Sequence, residues 1–451
     1  MNRILPLSVL VISIVLYILA PNSYSFGYCS IIHGLFLVEA ICLYIYDLQN
    51  EKVGFNLLFS ISFYFTSFVF PCFIYQINPH YSLFTFCYNI DVLSRSTALA
   101  QIAYASYTCG YMWNLNKAKS YNNKLDFGFT IPGKIVRKVG LLISIFVVIF
   151  IMVGGIVYFQ DRYLRSEMTS NLIVQYLILF FTPITIFLSS LIPLVRRNSQ
   201  AKYIYLILIA IAIILSISGT RTIPLFIFSA LFTIYCYKHK ISLLFIIFSI
   251  IVGTIFLSYI GQIRSQGIFT DLNFNASGLG WVEGFSDLFI NNRNLYVLYD
   301  YVQNNGCTYG LSMASDLLSP IPFAQSIFKS LTGIPDFAMG SPGFATFLQF
   351  GSHPPFGLGT HIVGDVYLSV GMPGVLILFT ALGRFITNLR NKMWTGSYYN
   401  FLIYIIMSSY AIYMCRASYF GTLRTLVWTM IISYFILNRY IPKKPKLENN
   451  C

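Results

Sequence analysis

The sequence predicts an all-α protein that crosses a membrane many times, and three observations carry that reading. Hydrophobic residues make up 57% of the 451 and charged residues only 10%, whereas soluble chains carry roughly 25% charge. Mean hydropathy is +0.69. Apolar runs close to the roughly 20 residues needed to cross hydrocarbon recur along the chain. With 41 Phe and 34 Tyr, the composition is also the opposite of a disordered chain.

Twelve spans are predicted, at 4–20, 26–46, 53–77, 97–115, 139–159, 171–195, 203–218, 223–237, 241–260, 361–388, 398–415 and 423–438. The first is not expected to be a cleaved signal, because Pro21-Asn22 stands where a small-residue cleavage site would be. The spans divide the chain into a bundle of about nine helices (1–260), a large loop (261–360) and a C-terminal helical part with a basic tail (361–451).

With the N-terminus placed in the cytoplasm, 19 of the 29 Lys and Arg fall in inner segments and nine outside. That bias expects both termini inside. Residue type divides more sharply than number. Inside, 13 of 19 are Lys; outside, eight of nine are Arg, namely Arg95, Arg162, Arg165, Arg221, Arg264, Arg293, Arg416 and Arg424. Arginine offers a planar fork to phosphate oxygens, so the outer set predicts a phosphate or pyrophosphate ligand. The competing reading pairs these arginines with Asp161, Glu167, Asp271, Glu283 and Asp287, or with lipid headgroups. The net charge of +14 needs no nucleic acid, since no Lys/Arg-rich domain exists.

The 100-residue loop is expected to be ordered. Trp281, Phe285, Leu288, Phe289, Leu295, Leu298 and Val302 can share one helical face, which predicts a helix lying along the membrane interface or packed on the bundle. Leu317-Leu318-Ser319-Pro320-Ile321-Pro322 reads as an interfacial turn. Arg293 falls on the polar side of the loop helix, where an ion pair with Glu283 or Asp287 is the simplest role.

Ser218-Gly219-Thr220-Arg221 ends the seventh span and Thr222-Ile223-Pro224 opens the eighth. Arg221 therefore stands at a helix N-terminus, whose free N–H groups add to its field. Arg264 leaves the ninth span on the same side, and Arg416 and Arg424 flank the last outer turn. His353 and His361 are candidate general bases, with structural hydrogen bonding as the alternative for each. Glu39 is costly inside a span and needs a partner. The nine cysteines form no CxxC pair; Cys87 and Cys307 could share the outer compartment. No P-loop, HExxH, Asp-x-Asp or dinucleotide fingerprint occurs.

These features resemble the bacterial O-antigen polymerases, the Wzy-type repeat-unit polymerases. The likeness rests on Ser218-Gly219-Thr220-Arg221 between two spans, the long loop with its Leu-Ser-Pro-Ile-Pro turn, and Gly359-Thr360-His361-Ile362-Val363-Gly364-Asp365-Val366-Tyr367-Leu368-Ser369-Val370-Gly371-Met372-Pro373-Gly374 opening the tenth span. Many members carry Glu where this chain has Asp365. The resemblance implies a GT-C-like glycosyltransferase acting at the periplasmic face of the bacterial inner membrane. Donor and acceptor would be oligosaccharides on undecaprenyl pyrophosphate. An acceptor hydroxyl would attack the anomeric carbon of the donor and release undecaprenyl pyrophosphate. It implies Arg221, His353, His361 and Asp365 as catalytic candidates, with Arg221, Arg264, Arg293, Arg416 and Arg424 on the pyrophosphate. It implies no metal or other cofactor, and a chain-length co-polymerase as partner. The competing readings are an O-antigen ligase, which would transfer polymer to lipid A-core using a loop histidine, and a lipid-linked oligosaccharide flippase. A flippase would place charges in several spans, where here Glu39 and Arg384 are the main exceptions.

Overall fold

The computed structural model describes residues 4–49, 54–79, 88–113, 127–155, 172–217, 221–238, 245, 248, 252–253, 289–354, 357–393 and 396–441. Among these it is helical, with no strand and one isolated bridge between Ile131 and Val195. Five helices are long and apolar enough to cross a membrane, and six if the bent pair Phe55–Ser67 and Phe70–Ile77, which meet at 46°, counts as one span. The protein is an integral membrane protein.

The helices fall close to the predicted spans: α1 (Ile4–Ile18), α2 (Phe26–Gln49), α3 (Phe55–Ser67), α4 (Phe70–Ile77), α5 (Val92–Trp113), α6 (Gly133–Met152), α7 (Leu172–Ser190), α8 (Asn198–Ile217) and α9 (Thr222–Lys238). The loop contributes α10 (Asn292–Asn305), α11 (Ala314–Leu318), α12 (Ala324–Thr332) and α13 (Ser341–Phe350). Then come α14 (Ile362–Met393), α15 (Tyr398–Met414) and α16 (Leu423–Leu437). The predicted ninth span lies almost entirely outside the described residues. The helix α14 is interrupted at Gly371, whose φ of 69° favours glycine, with Pro373 following.

The chain divides into two compact units. One comprises residues 1–119, 274–388 and 410–424; the other comprises 120–273, 389–409 and 425–451. In the first, α5 is buried from Val92 to Met112 save for the half-buried Arg95, and it packs on α1, α2 and α10. Several of its polar side chains reach carboxylates on neighbouring helices. Thr108 Oγ1 and Gln101 Nε2 both donate to Glu39, the latter at 3.1 Å. Tyr111 donates to Asp47 at 3.1 Å, and Asn56 donates to the same carboxylate at 2.7 Å. The intramembrane Glu39 thus has the partners it requires.

The contact between α5 and α14 is made at glycines. A methyl group on Gly110 would fall 2.1 Å from the Thr380 carbonyl oxygen, and one on Gly383 would fall 2.1 Å from that of Tyr107. Small residues let backbones approach this closely in a membrane. Thr387 Oγ1 then donates to the Tyr111 carbonyl at 2.7 Å.

The loop corrects one expectation. Residues 281–288 lie outside the described residues, and α10 has no single apolar face: from Asn292 to Tyr299 every residue is buried, Arg293 included. Arg293 is therefore not on a solvated polar side. The interfacial turn is present, and it leads into an amphipathic α12. Phe323, Ile327 and Leu331 form an exposed stripe, and Leu317 and Ile321 are exposed before it. The Lys329 ammonium is paired with Asp336 at 2.5 Å. Apolar exposure with neutralised charge is the pattern of a helix at a bilayer surface.

The glycine crossing sets a test. Gly383→Leu is expected to abolish folding, and Gly383→Ala to cost about 1–3 kcal/mol of overpacking. The control is Gly34→Ala in α2, where a methyl group meets nothing within 4 Å, and it is expected to be neutral or slightly stabilising. Thermal unfolding of the purified protein in detergent separates the two.

Candidate functional site

One turn organises the polar end of the first unit. Residues 415–422 join α15 to α16, and each of five consecutive attachments leaves from this turn or the start of α16. The Cys415 carbonyl accepts from Ile362 N–H at 3.2 Å, which fixes the start of α14. Arg416 Nε donates at 2.9 Å to the Asn291 amide oxygen, with the amide oriented so that its nitrogen donates to the Leu358 carbonyl at 3.2 Å. Asn294 donates to that same carbonyl at 3.0 Å. Ser418 bonds the Asp316 carboxylate. Tyr419 N–H donates to Asp365 Oδ2 at 2.8 Å. Arg424 Nε donates to the Ser319 carbonyl at 3.1 Å.

Both arginines of this turn are held before any ligand arrives. Arg416 also lies over the Tyr413 ring, 5.9 Å from its centroid. Burial pulls its pKa down and Tyr413 opposes that shift. Arg293, at the start of α10, is buried, and burial lowers its pKa to about 10. It therefore remains charged at neutral pH.

Three titratable groups meet this region, and their surroundings differ. His361 is fully buried. Its Nδ1 accepts from Val363 N–H at 3.2 Å, and its Nε2 lies 3.1 Å from Ser67 Oγ. An imidazole that accepts at Nδ1 is neutral with its proton on Nε2, so His361 caps the first turn of α14. Of the two roles expected for it, general base and structural hydrogen bonding, this geometry displays the second. Asp365 is likewise fully buried, with one oxygen on Tyr419 N–H and Ser341 beside it. Asp316 is the one of the three with partial exposure. Burial pushes its pKa above the usual carboxylate range, while Ser418 and the Arg424 guanidinium pull it back.

The remaining candidates lie elsewhere. His353 is exposed on the turn after α13. Arg221 belongs to the second unit, where its carbonyl accepts from Leu225 N–H at 3.2 Å and places it at the N-cap of α9. Residues 218–220 and Arg264 lie outside the described residues, as does Cys87. So the first unit brings Arg293, Arg416, Arg424, His361 and Asp365 into one region. Asp316, Ser418, Asn291 and Asn294 were not foreseen. The only signal for them was the pair of arginines bracketing a short outer turn.

The cap can be tested directly. His361→Ala is expected to cost about 1 kcal/mol or more of stability, in the range of lost helix caps. His361→Asn, which can still accept from the backbone, is expected to recover most of that in thermal unfolding.

A sequence model of O-antigen polysaccharide polymerase Wzy matches residues 3–443. No match is found among curated proteins, and none among solved structures. With a match that runs nearly from end to end, the chain belongs to the O-antigen polysaccharide polymerase Wzy family.

Proposed function

We propose that the protein joins oligosaccharide repeat units carried on undecaprenyl pyrophosphate, with undecaprenyl pyrophosphate as the leaving group. The reading includes twelve spans in a GT-C-like arrangement, both termini in the cytoplasm of a bacterium, and residues 261–360 on the periplasmic side of the inner membrane. The observation that carries it is the turn at 415–424, which holds two arginines and faces both a buried and a partly exposed carboxylate.

Glycosyl transfer from a pyrophosphate develops negative charge on the leaving group. Fixed cations that are already desolvated and oriented stabilise that charge without reorganising. Arg416 and Arg424 are oriented by their bonds to Asn291 and Ser319, and Arg293 adds a buried positive charge. Arg221, at the N-cap of α9, is proposed as a pyrophosphate cation on its own position at a helix N-terminus. The acceptor hydroxyl must lose its proton as the new bond forms. Asp316 suits that step better than Asp365 or His361, since it is reachable and its raised pKa makes it a stronger base. Asp365 then acts as a positioning residue that fixes the arginine-bearing turn through Tyr419 N–H. The ligase reading relied on a loop histidine; His361 is engaged at the start of α14, and His353 is the exposed histidine that such a reading would need.

Two measurements test this reading. In cells, loss of the gene is expected to leave lipid A-core with at most one repeat unit, whereas loss of a ligase would leave bare core. Arg221→Ala and Arg416→Ala are each expected to lower the polymerisation rate roughly a hundredfold, the scale of one lost oxyanion donor. Arg221→Lys is expected to rescue only partly. Normal chain length in both alanine variants would sink the pyrophosphate assignment.

The pH dependence has a definite sign. A general base works when deprotonated, so the rate is expected to fall as pH drops through the Asp316 pKa. Arg424 lowers that pKa, so Arg424→Gln is expected to move the acid limb of the pH–rate profile to higher pH. An acid limb that does not move excludes Asp316 as the base.

A further inference from the structure

The second unit contains a basic bowl unrelated to the residues above. It is a cavity of about 500 Å³ whose wall includes Thr130, Lys134, Arg137, Arg196, Arg197 and Gln200. Two segments far apart in sequence form it, 130–137 and 196–200, and both were assigned to the inner face by the charge count. They are clasped by a bond from Ile131 N–H to the Leu194 carbonyl at 3.0 Å.

Three features give the bowl its chemistry. First, it lies where two spans begin, α6 at Gly133 and α8 at Asn198. Two helix N-termini therefore add their partial positive charge to the four cations. Second, no counterion to this charge is found among the described residues. Among the described residues of this unit there is no Asp or Glu at all. Third, the floor is closely built. The Gln200 amide lies against the start of α6, where a methyl group on Gly133 would fall 2.0 Å from its Nε2.

We infer that this bowl binds the phosphate-bearing headgroup of an anionic phospholipid in the leaflet where α6 and α8 begin. The shared chemistry is a phosphate oxyanion against clustered, exposed guanidinium and ammonium groups, and guanidinium forks suit it. A lipid is favoured over a soluble phosphate because the bowl is set at the ends of two apolar spans. A phosphate held there would carry its acyl chains along the same helices. Basic pockets between transmembrane helices take anionic headgroups in this way. The inference does not depend on the polymerisation reading, which uses other residues.

The experiment uses the purified full-length protein in detergent, with retained lipid read by native mass spectrometry. Phosphatidylglycerol and phosphatidylcholine of matched acyl chains are the probes, with inorganic phosphate as competitor. Phosphatidylglycerol is expected to remain as a discrete adduct and phosphatidylcholine to be lost. The triple variant Arg137→Gln, Arg196→Gln, Arg197→Gln is expected to weaken phosphatidylglycerol retention strongly, at roughly fivefold per cation removed. All three side chains are exposed, so the variant should fold, and an unchanged unfolding temperature without added lipid checks this. Lys138→Gln, next to the bowl but outside its wall, is the control and is expected to retain the adduct.

Equal retention of the two lipids would overturn the proposal, as would full retention by the triple variant. A loss in Lys138→Gln as large as in the triple variant would mean diffuse surface charge, and would also overturn it. Displacement of phosphatidylglycerol by millimolar phosphate would show that the site reads free phosphate and not a lipid.

Discussion

The first unit depends on the close approach of α5 and α14. In a bilayer no hydrophobic effect drives helices together, because lipid tails are as apolar as leucine; packing and hydrogen bonds must do so. Gly110 and Gly383 bring two backbones into contact, and Thr387 adds a hydrogen bond at the same crossing. Towards one side α5 satisfies Glu39, which would otherwise be an uncompensated carboxylate within a span. Along α14 the crossing fixes where the first turn emerges, and with it His361 and Asp365. A shift of α14 along its axis would break the Ile362 and Tyr419 bonds together.

The turn at 415–422 converts that scaffold into an electrostatic arrangement. Its backbone and side chains are used by different partners, so the turn cannot rotate to improve one bond without losing another. Withdrawing Arg416 from water costs solvation energy, which is recovered in part from Asn291 and the Tyr413 ring. The carboxylates are positioned with similar care. Asp365 is committed to a backbone N–H, and Asp316 lies between a hydroxyl and a guanidinium that partly offset its burial. Two carboxylates with such unequal surroundings are suited to unequal tasks.

Much of this was legible in the sequence, for reasons that also explain what was not. Helix positions follow from apolar run length, and the described helices fall close to the predicted runs, although the third run is bent between α3 and α4 and the tenth is interrupted at Gly371. Arg416 and Arg424 stood out because charge at a predicted span boundary is conspicuous, and Asp365 only through the family resemblance. The role of His361 did not, since its position before α14 makes it a cap only once the helix start is known to within one residue. Arg293 was misplaced because periodicity reports one apolar face, whereas α10 is enclosed by α5 on one side and α13 on another. Asp316 and Ser418 are separated by about a hundred residues, so nothing local marks them as partners. Gly110 and Gly383 gave no signal either, because a glycine in an apolar helix is common and only the facing backbone gives it a role.

The two groups of cations differ in a way that bears on how each would act. In the first unit Arg293 is buried, and the half-buried Arg416 is held by the Asn291 amide and the Tyr413 ring, so their field reaches a ligand less weakened by salt. The bowl in the second unit is the reverse: its cations are exposed and have no carboxylate among the described residues around them. Exposed charges at separations near the Debye length of about 8 Å are screened at physiological ionic strength. A cation built for transition-state stabilisation gains from being fixed and dry, since orientation at the moment of reaction is what lowers the barrier. A cation that holds a lipid headgroup gains from flexibility, because headgroups exchange and differ in shape. Raising salt should therefore weaken anion retention at Arg137, Arg196 and Arg197 well before it disturbs the guanidinium of Arg416, and ionic strength becomes a means of separating the two sites within one protein.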